Sequence, residues 1–142
     1  MIFWDNIKSF RTLYEKLSEP IKEQHHLTQM EFDILMFLHN NPQYCAASDI
    51  VRIRRITKSH VSTSVSSLVE KGLLERSYLE KDRKSIRLKL TPAASEIVSA
   101  GTAIQTAYSE ILSKGFSAAE KEQFREWFKR ICENADEELN RR

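Results

Sequence analysis

Thr57-Lys58-Ser59-His60-Val61-Ser62-Thr63-Ser64-Val65-Ser66-Ser67-Leu68-Val69-Glu70-Lys71-Gly72 runs directly into Leu73-Leu74-Glu75-Arg76-Ser77-Tyr78-Leu79-Glu80-Lys81-Asp82-Arg83-Lys84-Ser85-Ile86-Arg87-Leu88-Lys89-Leu90-Thr91-Pro92. The hydrophobic period changes inside this stretch. Val61, Val65, Leu68 and Val69 stand at i, i+4, i+7 and i+8, one face of a helix that Thr57 caps. Lys71 lies in its last turn, and Gly72 stands where a left-handed C-cap belongs. From Leu74 the period is two. Residues 74–79 read as a strand, and residues 85–91 as a second, with Ile86, Leu88 and Leu90 on one face and Arg87 and Lys89 on the other. The all-charged run 80–84 between them is a hairpin tip. Thr91 and Pro92 supply an N-cap and a proline at the first position of a following helix.

Outward from this core, Phe3, Ile7, Phe10, Tyr14 and Leu17 predict an amphipathic helix over 2–18, with Pro20 and a polar stretch after it. Thr28 and Glu31 form a capping box, stapled by Leu27 and Phe32, that opens a second helix; Asn40-Asn41-Pro42 stops it. A short third helix is expected over 46–54, with Ile50, Val51 and Ile53 inward. A long fifth helix runs to about Lys114. Ser117 and Glu120 open a sixth, which carries Phe124, Trp127, Phe128 and Ile131 on one side. Three helices, a fourth with a polar face, a charged hairpin and two more helices make a mainly α fold with a small β-hairpin wing, the plan of a winged helix-turn-helix. Residues 1–142 are expected to form one domain around a DNA-binding core at 28–91.

The 142 residues carry a net charge of only +2, but the charge is segregated. Residues 41–91 hold 11 basic and 5 acidic side chains, whereas 1–40 and 92–142 are each net −2. A basic middle between acidic flanks suits a polyanion-binding module. Two distant cysteines, Cys45 and Cys132, fit no disulfide scaffold or metal spacing and suggest a reducing, cytoplasmic setting. No apolar run approaches the length of a membrane span, and the opening residues do not read as a signal peptide. With three glycines there is no phosphate-cradling loop, and no nucleophile–base pair or paired carboxylates appear, so neither an enzyme nor a cofactor is expected.

Leu27-Thr28-Gln29-Met30-Glu31-Phe32, Ser48-Asp49-Ile50-Val51, Thr57-Lys58-Ser59-His60-Val61-Ser62, Leu68 to Arg76 and, most specifically, Asp82-Arg83-Lys84-Ser85-Ile86-Arg87-Leu88-Lys89-Leu90-Thr91 give residues 27–92 a resemblance to the MarR family of bacterial transcription regulators. The last piece is similar to the family's D-x-R or D-R wing signature. One departure is the turn Ile53-Arg54-Arg55-Ile56, where members often carry an apolar residue and then a glycine or polar residue. It puts two extra positive charges close to where DNA would lie.

Serines and threonines are poor helix filler, so their concentration on the polar face of the fourth helix points to contact with DNA. Thr57, Lys58, Ser59, His60, Ser62, Thr63, Ser66 and Ser67 are candidates there, with His60 and Thr63 the better placed for base edges. Arg54 and Arg55 precede them. On the wing, Lys81, Arg83, Lys84 and Arg87 are cationic candidates. The resemblance implies that Arg83 enters a minor groove while Asp82 steadies it. It also implies a homodimer on a palindromic operator, built from terminal helices at 1–20 and 92–142 and most often repressing. The aromatics Phe3, Trp4, Phe10, Tyr14, Phe116, Phe124, Trp127 and Phe128 fit such an interface. Release by a small phenolic or carboxylate effector is a further implication, with Phe10, Arg11, Tyr14, Met36 and His39 as its candidate lining. The alternatives are a winged-helix protein-interaction module without DNA binding, or a metal- or redox-sensing regulator. His25 and His26 beside Glu23 are too few ligands for a closed metal site, because Gln105, Tyr108 and Glu110 occupy the fifth-helix face where relatives carry histidines. Cys45 has no basic neighbour in sequence and reads as a small buried residue, as does Cys132.

Overall fold

The computed structural model describes residues 3–79 and 82–141, and the side chains of 5–78 and 86–141. The order is α1 (Phe3–His25), α2 (Gln29–Asn40), α3 (Ala47–Arg54), α4 (Lys58–Glu70), β1 (Leu74–Leu79), β2 (Asp82–Leu90), a 3-10 turn (Pro92–Ala94), α5 (Ser95–Leu112) and α6 (Ala118–Leu139). This is a mainly helical winged helix-turn-helix with a two-stranded antiparallel hairpin. Two compact units emerge, Met1–Tyr108 and Ser109–Arg142.

In the first unit α2 is the central element, buried on nearly every side through Phe32, Ile34, Leu35, Met36, Phe37 and Leu38. Ile50 of α3, Val61, Val65 and Leu68 of α4, Leu74 and Leu88 of the hairpin and Ile97 of α5 complete its core. The capping box opens α2 as the sequence predicts: Glu31 N donates to Thr28 Oγ1 at 3.1 Å, and Thr28 N donates to Glu31 Oε1 at 2.9 Å. At α3 the cap residue is Ala46, and Asp49 Oδ2 accepts its N–H at 3.1 Å. The chain before α3 pairs with the free edge of β2 through the Ala46–Arg87 bridge and Leu88 N to Cys45 O at 2.7 Å.

Several boundaries differ from the sequence reading. α1 passes through Pro20 and ends at His25, not at residue 18. Proline removes one backbone bond, but Ser18 and Ile21 on either side are buried and hold the helix in register. α1 closes in a Schellman motif: Leu27 N donates to Lys22 O at 2.8 Å, and His26 takes the left-handed position with φ 55°. No glycine marks that stop. α4 ends the same way but with the glycine the sequence announces, Gly72 at φ 75°, and Leu73 N donates to Leu68 O at 3.0 Å. Ile53, expected inward, is exposed in the last turn of α3. β2 starts at Asp82 rather than Ser85, because an irregular register between Tyr78 and Leu79 lets Leu79 pair with Asp82 while Tyr78 pairs with Ile86. Thr91 does not cap a helix with its side chain. Its hydroxyl donates to Gly72 O at 2.6 Å and its N–H to Leu73 O at 3.1 Å, tying the base of the wing, and Pro92 starts the 3-10 turn before α5.

In the second unit, Gly115 at φ 85° makes the turn, and Ser117 and Glu120 form the second capping box, with bonds of 3.1 and 2.8 Å. The expected stripe of α6 is present and uncovered: Phe124, Trp127, Phe128 and Ile131 are 53–60% exposed, and Phe124 stacks on Phe128 at 5.8 Å.

Candidate nucleic-acid interface

Thr57 Oγ1 accepts His60 N at 3.3 Å and starts α4, whose first turn holds no acidic side chain. The helix therefore presents free amides and the positive end of its dipole next to Lys58. Lys58, Ser59, His60, Ser62, Thr63 and Ser66 are all exposed along one side, while Val61, Ser64, Val65 and Leu68 are buried on the other. Thr63 Oγ1 donates to Ser59 O at 2.9 Å, so its lone pairs face outward as acceptors. Ser67 is not part of this surface. Its hydroxyl donates to Glu31 Oε2 at 2.8 Å, which the sequence reading missed because Glu31 lies on another helix.

The cationic candidates divide. Arg54 places its guanidinium over the Phe37 ring at 5.7 Å, and Arg55 occupies a left-handed position, φ 52°, in the turn between α3 and α4. Arg87 is exposed on β2, with Nη1 3.0 Å from Cys45 Sγ. Cys45, read as having no basic neighbour, thus acquires one from the hairpin, and it is half-buried; Cys132 is exposed, not buried. Lys81 and the side chains of Asp82, Arg83 and Lys84 lie outside the described residues, as do those of Phe3 and Trp4; the backbone of Asp82, Arg83 and Lys84 belongs to β2.

Two arginines join the surface that the sequence reading did not name. Arg76 of β1 donates through Nη2 to Ser66 Oγ, latching the wing to α4. Arg52 of α3 lies over the Tyr44 ring at 5.9 Å and pairs with Asp49 at 3.1 Å. Together with Lys58 they rim a cleft of about 360 Å³ between α3, α4 and the hairpin, floored by Val51, Val61, Val65 and Ile86. The signal for Arg76 was its place in the period-two strand, on the face shared with Leu74.

The five effector candidates do not line one cavity. Met36 is 2% exposed in the core, and Phe10 and Arg11 are exposed, Arg11 pairing with Glu15 at 3.1 Å. Tyr14 is half-buried; its hydroxyl accepts Gln105 Nε2 at 3.0 Å, its ring meets Tyr108 edge-on at 5.2 Å, and burial raises its pKa. His39 sits instead on a separate shallow cleft of about 430 Å³ with Thr91, Ser95, Ser99 and Thr102. Among the described residues no three His, Cys, Asp or Glu side chains converge as a metal site, and no helix is long and apolar enough to cross a membrane.

A MarR family model matches residues 25–85. Among solved structures, a protein from Listeria monocytogenes described as a MarR family transcriptional regulator, complexed with 26mer DNA, is 22% identical. It matches 98% of this chain and 92% of its own, with a TM-score of 0.83. The S. aureus MepR–DNA complex is also 22% identical, covers 94% of each chain and has a TM-score of 0.75. A MarR protein from Peptoclostridium difficile is 14% identical over 97% of this chain and 90% of its own, at a TM-score of 0.84. These likenesses extend over the terminal helices as well as the wing, and the part of the chain that the MarR family model matches, residues 25–85, takes in the helix-turn-helix and most of the wing.

Proposed function

We propose that the chain is a sequence-specific regulator of transcription that binds double-stranded DNA as a homodimer. The observation that carries this reading is α4: a helix capped at Thr57, free of acidic residues in its first turn, with Lys58, Ser59, His60, Ser62, Thr63 and Ser66 exposed on one side. Small hydrogen-bonding side chains near a helix N-terminus suit the major groove, where His60 and Thr63 reach base edges and the serines hold phosphates. Arg52, Lys58 and Arg76 at the cleft beside the wing supply backbone attraction. Arg83 at the start of β2 is the wing residue for an adjacent minor groove. Two similar structures contain DNA, which agrees with this assignment.

The dimer rests on uncovered apolar faces. Phe124, Trp127, Phe128 and Ile131 of α6 stand at i, i+3, i+4 and i+7, and Ile7 and Phe10 of α1 are also exposed. A second copy related by a two-fold axis covers such faces without leaving an open end. The operator is then an inverted repeat with half-site centres about 10 bp apart. Repression is the mode the resemblance favours. A small aromatic or phenolic ligand that prefers the DNA-incompetent arrangement would relieve it, by no more than its differential affinity for the two states.

Selection of bound duplexes from a random DNA pool tests the reading. Enrichment of one inverted repeat is the expected outcome; a pool that remains random after repeated rounds identifies a winged-helix module that binds proteins instead.

A further inference from the structure

We propose that Glu31 is a positioning residue for DNA reading: its buried carboxylate fixes the C-terminal end of α4, and with it the base of the wing, against the start of α2. The inference rests on α4 being the DNA-reading helix. Glu31 is only 2% exposed and divides its two oxygens between two tasks. Oε1 accepts Thr28 N at 2.9 Å and caps α2. Oε2 accepts Ser67 Oγ at 2.8 Å, from the last turn of α4, and Lys71 Nζ at 2.9 Å, from its C-cap residue. Lys71 Nζ also donates to His26 O at 2.6 Å, so the closing turn of α1 meets the same point. One residue further on, Gly72 turns the chain into the wing and gives its carbonyl to the Thr91 hydroxyl.

The geometry matters because the rest of α4's hold on the helical core is apolar; its other directional tie, Arg76 to Ser66, joins it to the wing and not to α2. Val61, Val65 and Leu68 hold it by apolar burial, which tolerates a roll or slide along the helix axis. Base-edge readout does not, since a recognition side chain must sit within about 0.5 Å of its place. A buried ion pair contributes little net stability against its desolvation, but it does select one arrangement of the groups that meet there. Burial works to raise the Glu31 pKa, and the bonds from Lys71, Thr28 and Ser67 overcome it and hold the carboxyl below the ordinary range.

The test compares the full-length wild type with Glu31→Gln, Ser67→Ala, Lys71→Met and Lys71→Arg. Affinity for the selected duplex and for a scrambled duplex is measured by fluorescence anisotropy over a salt series, at matched folded fraction by circular dichroism. Glutamine still caps α2, so Glu31→Gln removes the charge without removing the helix start. Glu31→Gln and Lys71→Met are expected to lower the ratio of specific to scrambled affinity about tenfold, the worth of one misplaced base contact. Scrambled affinity and salt slope stay at the wild-type value, and Lys71→Arg restores the ratio. An unchanged ratio in Glu31→Gln at full folding overturns the proposal, leaving the cluster a stabilising contact only. A salt slope reduced by about one in Lys71→Met also overturns it, because Lys71 is then a phosphate contact. Wild-type protein with equal affinity for both duplexes overturns the reading of α4 itself.

Discussion

Glu31 and Asp33, two positions apart on α2, feel opposite environments. Hydrogen bonding outweighs burial and lowers the Glu31 pKa, whereas burial raises that of Asp33 despite the Gln29 amide at 2.9 Å and the nearby Arg54, Arg11 and Lys22. The two therefore contribute opposite pH dependence. Glu31 adds stability that is fully present above its unfolded pKa and is lost as pH falls through the depressed folded value. Asp33 is held protonated more readily in the fold, so it costs stability above its raised folded pKa and costs nothing below the unfolded one. Urea midpoints over a pH series should show Glu31→Gln weaker than wild type at pH 7, with the deficit closing in acid. Asp33→Asn should be more stable than wild type at pH 7, with the gain vanishing in acid. Gly101 is the other residue-scale constraint. A methyl group there collides with Met36 Sδ and crowds Phe32, so Gly101→Ala should lose about 1–3 kcal/mol by overpacking, less about 1 kcal/mol of helix propensity, by chemical denaturation. At this scale the sequence shows only part of the site. His60, Thr63 and Ser66 are legible as solvent-facing because they leave the apolar stripe of their own helix. Ser67 and Lys71 are not legible as partners of Glu31, because 36 and 40 positions of chain separate them.

Elements whose signals are local are read correctly from sequence. Both capping boxes and the Gly72 stop of α4 join residues three to five apart, and the structure has all of them. The end of α1 is not legible in this way, because its stop is a left-handed histidine and because packing of Ser18 and Ile21 outweighs the break that Pro20 signals. His26→Gly should relieve the left-handed penalty and raise stability by about 0.5–1 kcal/mol in a thermal melt, with DNA affinity unchanged. The irregular wing register is likewise invisible, since alternation begins only at Ser85 while the backbone pairs from Asp82. Arg83→Ala tests the wing. Helicity and assembly should be retained, operator affinity should fall by about 1–3 kcal/mol per protomer, and the salt slope should shrink by about one for each phosphate that the arginine no longer neutralises.

For the whole molecule, the charge segregation and the fold agree: the basic segment 41–91 holds α3, α4 and the wing, and the acidic flanks include α1 and α6, which carry uncovered aromatics. A charge in the middle of the α6 stripe should separate the protomers. Trp127→Glu is expected to sediment as a helical monomer at micromolar concentration while wild type sediments as a dimer, and the monomer should lose specific binding because one half-site alone is read. The central claim, sequence-specific DNA recognition by this helix-turn-helix, is tested most directly by one titration: full-length protein against the selected inverted repeat and against a scrambled duplex of the same length, at physiological salt. Affinity at least about 10³-fold tighter for the repeat is the predicted result, and equal affinity for the two duplexes would contradict it.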